Sequence, residues 1–147
     1  MLNVRQRTDG LVFRINLVSR RLRGEAQRRL LPHGVHSGQE SILGCLWERD
    51  GLTPGEIAAR ISVEAPTVTR AVRRMTDAGL VRVDGDRDDG RRVRVWLTAR
   101  GATLRHAVDE VTRNLEADAL ATLSGEERTQ LLDMLGRIEI ALLSRRS

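Results

Sequence analysis

Residues 53–79 read TPGEIAARISVEAPTVTRAVRRMTDAG, and this stretch decides the fold. Thr53 and Glu56 have the spacing of a capping box, with Pro54 at the first helical position. Ile57, Ala58 and Ile61 then recur at helical spacing, which predicts a short helix over about 54–61. Ser62-Val63 makes a brief turn. A second helix is expected from Glu64 to Ala78, ended by Gly79. Two short helices joined by a tight turn are the signature of a helix-turn-helix.

The second helix has two unlike sides. At about 100° per residue, Val68, Ala71, Val72 and Met75 gather on one side. Pro66, Arg70, Arg73 and Arg74 gather opposite, with Thr67 and Thr69 on the flanks. An α-helix fits the major groove of B-DNA, where an arginine fork meets guanine O6 and N7. Hydroxyls and the helix N-terminus suit phosphates. A basic helix alone is more simply a solvated face. Following a short helix and preceding a basic hairpin, it reads as a DNA-recognition helix.

The hairpin comes next. Leu80-Val81-Arg82-Val83 predicts one strand. Val93, Val95 and Leu97, alternating with Arg94 and Trp96, predict another. Between them, residues 86–92 read DRDDGRR, three aspartates and three arginines around Gly90, a residue suited to a tight turn. Free aspartates would repel phosphate. Paired with guanidinia, they hold the arginines in place. An arginine so held at a loop tip suits a narrow minor groove. Asp89 is expected to orient Arg91, with Arg87 and Arg92 near phosphates; a self-compensating surface loop is the plainer alternative. Residues 60–100 carry ten arginines against six acids, so most of the chain's net charge of +5 sits here.

Longer helices flank this core. Leu11, Ile15, Val18 and Leu22 predict one over about 9–30, stopped by Leu31-Pro32-His33-Gly34. Ser37 and Glu40 have capping-box spacing ahead of a helix to about Arg49, with Ile42, Leu43, Leu46 and Trp47 inward. Thr98 is expected to cap a long helix over about 99–121. Ser124 and Glu127 cap another over about 125–144, with Leu131, Leu135, Ile138 and Leu142 on one stripe. The fold class is mainly α with a small β-hairpin wing (α+β).

Composition narrows the function. The chain has 147 residues, and all 25 basic ones are arginine. A single domain is the simplest organisation. The positive excess favours a polyanionic partner. Phe13, Trp47 and Trp96 are the only aromatics, too few for a base-stacking platform of the single-strand type. The one cysteine, Cys45, rules out an internal disulfide and fits a reducing, cytoplasmic setting; beside Ile42 and Leu46 it reads as a small buried hydrophobe. ILGCLW at 42–47 is too short to span a bilayer, so no membrane partner is expected. His33, His36, Glu40, Cys45 and His106 make no clear tetrahedral set, so no metal or cofactor is expected. No nucleophile–base pair or phosphate loop points to an enzyme.

Residues 53–101 as a whole resemble the winged helix-turn-helix of MarR-type transcription regulators. The wing motif Asp-x-Arg is matched by Asp89-Gly90-Arg91, and Leu-Thr-x-x-Gly by Leu97-Thr98-Ala99-Arg100-Gly101. Pro66-Thr67 and Arg70 match the start and the base-reading arginine of the family's recognition helix. The resemblance extends to the helix order on both sides. It implies one MarR-like domain over 1–147, with a winged core at about 37–100 and a dimerisation region at about 1–35 and 102–147. It further implies a homodimeric repressor that binds a pseudo-palindromic double-stranded operator and is released by a small anionic aromatic effector. The polar interruptions Arg14 and Asn16 in LVFRINLV, together with His36, are the effector candidates; for Arg14 a salt-bridged surface residue is the plainer alternative. The competing function is a winged-helix module for protein or RNA contact without operator preference.

Overall fold

Periodicity and capping set most of the helices seen in the computed structural model, which describes residues 9–85 and 90–146. Helix α1 spans Leu11–Leu30 and runs into a 3-10 turn, Leu31–His33, where Pro32 blocks further α-helix. Helix α2 spans Gln39–Glu48, α3 Pro54–Ile61 and α4 Ala65–Asp77. Strands β1, Val81–Gly85, and β2, Val93–Leu97, pair antiparallel with Val83 opposite Val95. Helices α5, Ala99–Thr103, α6, Arg105–Ala119, and α7, Gly125–Leu143, follow, with a terminal 3-10 turn at Ser144–Arg146. The chain forms two compact units, residues 1–112 and 113–147. Among the described residues no helix is long and apolar enough to cross a membrane.

The core of the first unit is aliphatic. Leu30, Val35, Leu43, Leu46, Leu52, Ile57, Met75, Leu80 and Val95 are fully buried. Their burial supplies about 1.5–3 kcal/mol each relative to exposure. On α1, by contrast, Leu11, Val12, Phe13, Ile15, Val18 and Leu22 are exposed. In the second unit, Leu132, Leu135, Ile140 and Leu142 of α7 are exposed as well.

Two capping boxes form as their spacing predicts. Thr53 Oγ1 accepts from Glu56 N while Glu56 Oε2 accepts from Thr53 N. Ser124 and Glu127 repeat the arrangement at α7. The expected box at Ser37 does not form. Gly38 is the N-cap, in the left-handed region at φ 96°, and Glu40 reaches back to Gly38 N. Ser37 N donates instead to Gln27 Oε1 on α1, and His36 N donates to Gln39 Oε1. A tertiary hydrogen bond to α1 thus outcompetes a local cap.

The helix expected over 99–121 is broken at Leu104. Thr98 does cap its first turn, accepting from Gly101 N at 3.1 Å. The Gly101 carbonyl, however, accepts from the Trp47 indole at 3.0 Å, and the Thr103 hydroxyl donates to Arg100 O. Both compete with the helical ladder at this point.

Candidate nucleic-acid interface

The turn between α3 and α4 is built by Ser62. It takes the left-handed conformation, φ 55° and ψ 46°, and its N–H donates to Ala58 O to close α3. Glu64 returns to extended backbone, and α4 begins with Pro66 inside its first turn. The helix then buries Val68, Val72 and Met75 against the core, with Ala71 half-buried.

Its opposite face is open. Pro66, Thr67, Thr69, Arg70, Arg73 and Arg74 are all exposed. Thr69 Oγ1 donates to Ala65 O at 3.1 Å, which leaves the hydroxyl oxygen free to accept. Arg74 Nε donates to Arg70 O at 3.5 Å. The C-terminal end of α4 is held by Arg100, whose Nη1 donates to Ala78 O at 2.6 Å. Nothing local in the sequence shows what Arg100 reaches.

The LTxxG motif is a latch under this helix. Thr98 Oγ1 lies 2.7 Å from Gly79 O and 3.0 Å from Leu80 O, and it also caps α5. Gly101 passes so close to the residue before β1 that an added Cβ would lie 2.1 Å from Leu80 O. The motif therefore joins the end of α4 to the start of α5.

The wing is fastened at its root. Leu52 bridges Val95, whose N–H donates to Leu52 O at 2.8 Å. Arg94 Nη1 donates to Gly51 O at 2.8 Å, and Leu97 N to Asp50 Oδ1 at 3.0 Å. On the same face Arg82 lies over the Trp96 ring, 5.6 Å from its centroid, and forms an ion pair with Asp84. Arg91 and Arg92 are exposed where the chain re-enters β2. Arg87 and Asp89, with Asp86 and Asp88, lie outside the described residues.

A crevice of about 500 Å³ opens beside α4. Arg23, His36, Glu40, Thr67 and Arg74 supply its polar lining, over Ile42, Ile61 and Val68. Gln27, whose Oε1 is committed to Ser37 N, donates from its amide nitrogen to His36 Nδ1 at 2.9 Å. Of the three effector candidates, only His36 lines this crevice. Arg14 and Asn16 are exposed on α1, and Arg14 pairs with Asp9 at 3.8 Å. In the sequence Arg23 does not stand out from Arg20, Arg21, Arg28 and Arg29 on the same helix.

Cys45 is buried on α2, and burial pushes its thiol pKa above the ordinary value. Glu25 sits between Arg28 and Arg29, whose hydrogen bonds bring its carboxyl down to about 2.

A two-helix unit with an exposed basic second helix, followed by a hairpin, defines a winged helix-turn-helix protein. Comparison with known proteins gives the family. Residues 36–93 match the MarR family model. The chain is 34% identical to the HTH-type transcriptional regulator TtmR of Methylorubrum extorquens over 83% of its own length and 62% of TtmR's. It is 30% identical to the HTH-type transcriptional repressor Rv2887 of Mycobacterium tuberculosis, over 87% of this chain and 90% of that one. The crystal structure of an S. aureus MepR–DNA complex superposes with a TM-score of 0.82 at 26% identity, covering 89% and 97% of the two chains. The chain belongs to the MarR family; it is a DNA-binding transcriptional regulator and not an enzyme.

Proposed function

We propose that the protein is a cytoplasmic repressor that binds a pseudo-palindromic operator as a homodimer and leaves it when a small anionic aromatic effector binds. The carrying observation is the exposed face of α4, where Arg70, Arg73 and Arg74 stand with Thr67 and Thr69 opposite the buried Val68, Val72 and Met75. In this reading Arg70 reads guanine in the major groove, and the hydroxyls and flanking arginines hold phosphates. At the wing, Arg91 with Asp89 as its orienter takes the minor groove, and Arg87 and Arg92 meet phosphates. The solved MepR–DNA complex and the repressor Rv2887 support duplex DNA as partner and repression as outcome.

Dimerisation is supported by the apolar residues left exposed on α1 and α7. Burying such stripes against a second copy is the ordinary outcome for amphipathic helices of this kind. Segments of about 1–35 and 102–147 form the dimerisation region of a single MarR-like domain. Two recognition helices related by a two-fold axis then meet half-sites about 10 bp apart. The effector's seat is the crevice at His36, with Arg23 or Arg74 pairing its carboxylate and Ile42, Ile61 and Val68 taking its ring. Arg14 and Asn16 belong to this seat only if the partner protomer's α1 reaches it.

A gel shift with the gene's own upstream DNA, at two salt concentrations and with competitor, tests the DNA reading. Specific retention that weakens steeply with salt is expected. Weak binding without sequence preference points to an RNA- or protein-contact module instead. Sedimentation at micromolar concentration tests the dimer. Thermal shift with benzoate-type acids, repeated on Arg23→Ala and Arg14→Ala, tests the seat.

A further inference from the structure

We propose that Trp96 is a positioning residue of the wing: seated on Gly51 and covered by Arg82, it fixes the direction in which the hairpin presents Arg91 and Arg92 to DNA. The proposal rests on the wing reading above and adds a residue and a device to it.

Four consecutive residues of β2 touch the loop at 50–52. Arg94 donates to Gly51 O, Val95 N donates to Leu52 O, Trp96 packs on Gly51, and Leu97 N donates to Asp50 Oδ1. That loop leads directly into Thr53, the N-cap of α3. Wing and helix-turn-helix are therefore referenced to the same three residues.

Gly51 is shaped for the indole. It is buried, lies at φ 71°, and a Cβ there would come within 2.4–2.7 Å of Trp96 Cη2, Cζ2 and Cζ3. A glycine is needed here both for its backbone and for the space. The ring also carries the Arg82 guanidinium, itself ion-paired with Asp84. Arg82 stands opposite Trp96 in the register, and Asp84 opposite Arg94, so all four side chains share one face of the ribbon. The other face, with Val81 and Val95 buried, supplies the hydrophobic attachment.

Direction matters because the ribbon is long and thin. A two-stranded hairpin is marginal by itself and twists readily. Four steps of about 3.3 Å carry the far strand ends, Gly85 and Val93, about 13 Å from the root, so a tilt of about 10° moves them about 2 Å. That displacement removes an arginine from hydrogen-bonding distance of a groove or phosphate.

The test uses the full-length protein and a short alternating dA–dT duplex, with affinity measured across a series of NaCl concentrations. The Arg91→Ala/Arg92→Ala double variant is expected to lower the salt slope by about 1–2. Trp96→Ala is expected to reproduce that loss with both arginines present, about tenfold in affinity at low salt, while Trp96→Phe stays near wild type. Combining Trp96→Ala with the double variant should add nothing further. Arg82→Gln, a surface change safe for folding, gives a smaller loss absorbed by the same combination, and it carries the test if Trp96→Ala does not melt cooperatively. Losses that add, or a Trp96→Ala protein that folds and binds like wild type, overturn the positioning role. An unchanged double variant overturns the wing reading itself.

Discussion

The Trp47 indole donates to the carbonyl of Gly101, 3.0 Å away across 54 residues of sequence. Gly101 is also pressed against Leu80, where a Cβ would meet the carbonyl oxygen at 2.1 Å and Leu97 Cδ2 at 3.3 Å. A backbone oxygen cannot yield as a flexible side chain does. Gly101→Ala is therefore expected to destabilise by about 3 kcal/mol. Gly44→Ala, in α2 with nothing within 4 Å of the new methyl, should instead stabilise by about 0.5–1 kcal/mol. Urea denaturation of the two variants side by side checks both signs.

Ser62 occupies the left-handed conformation at the turn of the helix-turn-helix. Ser62→Val is expected to cost about 1–2 kcal/mol, because a β-branched side chain is poorly accommodated there. Ser62→Gly should fall within about 0.5 kcal/mol of wild type, relief of strain offsetting the added freedom of the unfolded chain. Equal melting temperatures for the valine and glycine variants would contradict the geometry.

Glu56 carries a pH dependence. The Thr53 backbone N–H hydrogen bond, helped by the Thr53 side chain and by Arg94 and Arg49, lowers its carboxyl pKa despite some burial. A folded-state pKa below the unfolded one adds stability above about pH 4.5, and that contribution is lost as the pH falls through the lowered value. The group is largely solvent-screened, so about 0.5 kcal/mol is expected at neutral pH. The stability gap between wild type and Glu56→Gln should narrow from pH 6 to pH 3 in chemical denaturation.

Cys45 should be slow to react. Its thiol is buried and desolvated, so little thiolate forms near neutrality. Iodoacetamide is expected to label the native protein far more slowly than the urea-unfolded chain. Mild peroxide should leave DNA binding unchanged. Rapid native labelling would show an accessible thiolate instead.

Arg70→Ala is expected to weaken operator binding by about 1–3 kcal/mol and to relax base preference at one position per half-site. Arg73→Ala should lower affinity across sequences alike, with a salt slope reduced by about 1. Selection from a random duplex pool separates the two outcomes. Identical selected sites for wild type and Arg70→Ala would remove Arg70 from base reading.

Much of the architecture is written locally. The boundaries of α3 and α4, the boxes at Thr53 and Ser124, and the two unlike faces of α4 follow from residues within about one or two helical turns of each other. What the sequence could not display are choices made between distant groups. Ser37 gives its N–H to Gln27, so Gly38 and not Ser37 caps α2; Trp47 takes the Gly101 carbonyl where the helix breaks at Leu104; Arg23 turns toward α4; Trp96 settles on Gly51. Capping and periodicity depend on neighbours along the chain, whose spacing is fixed by covalent geometry. Each of the other contacts joins groups 10 or more residues apart, and only the folded chain determines which donor finds which acceptor first.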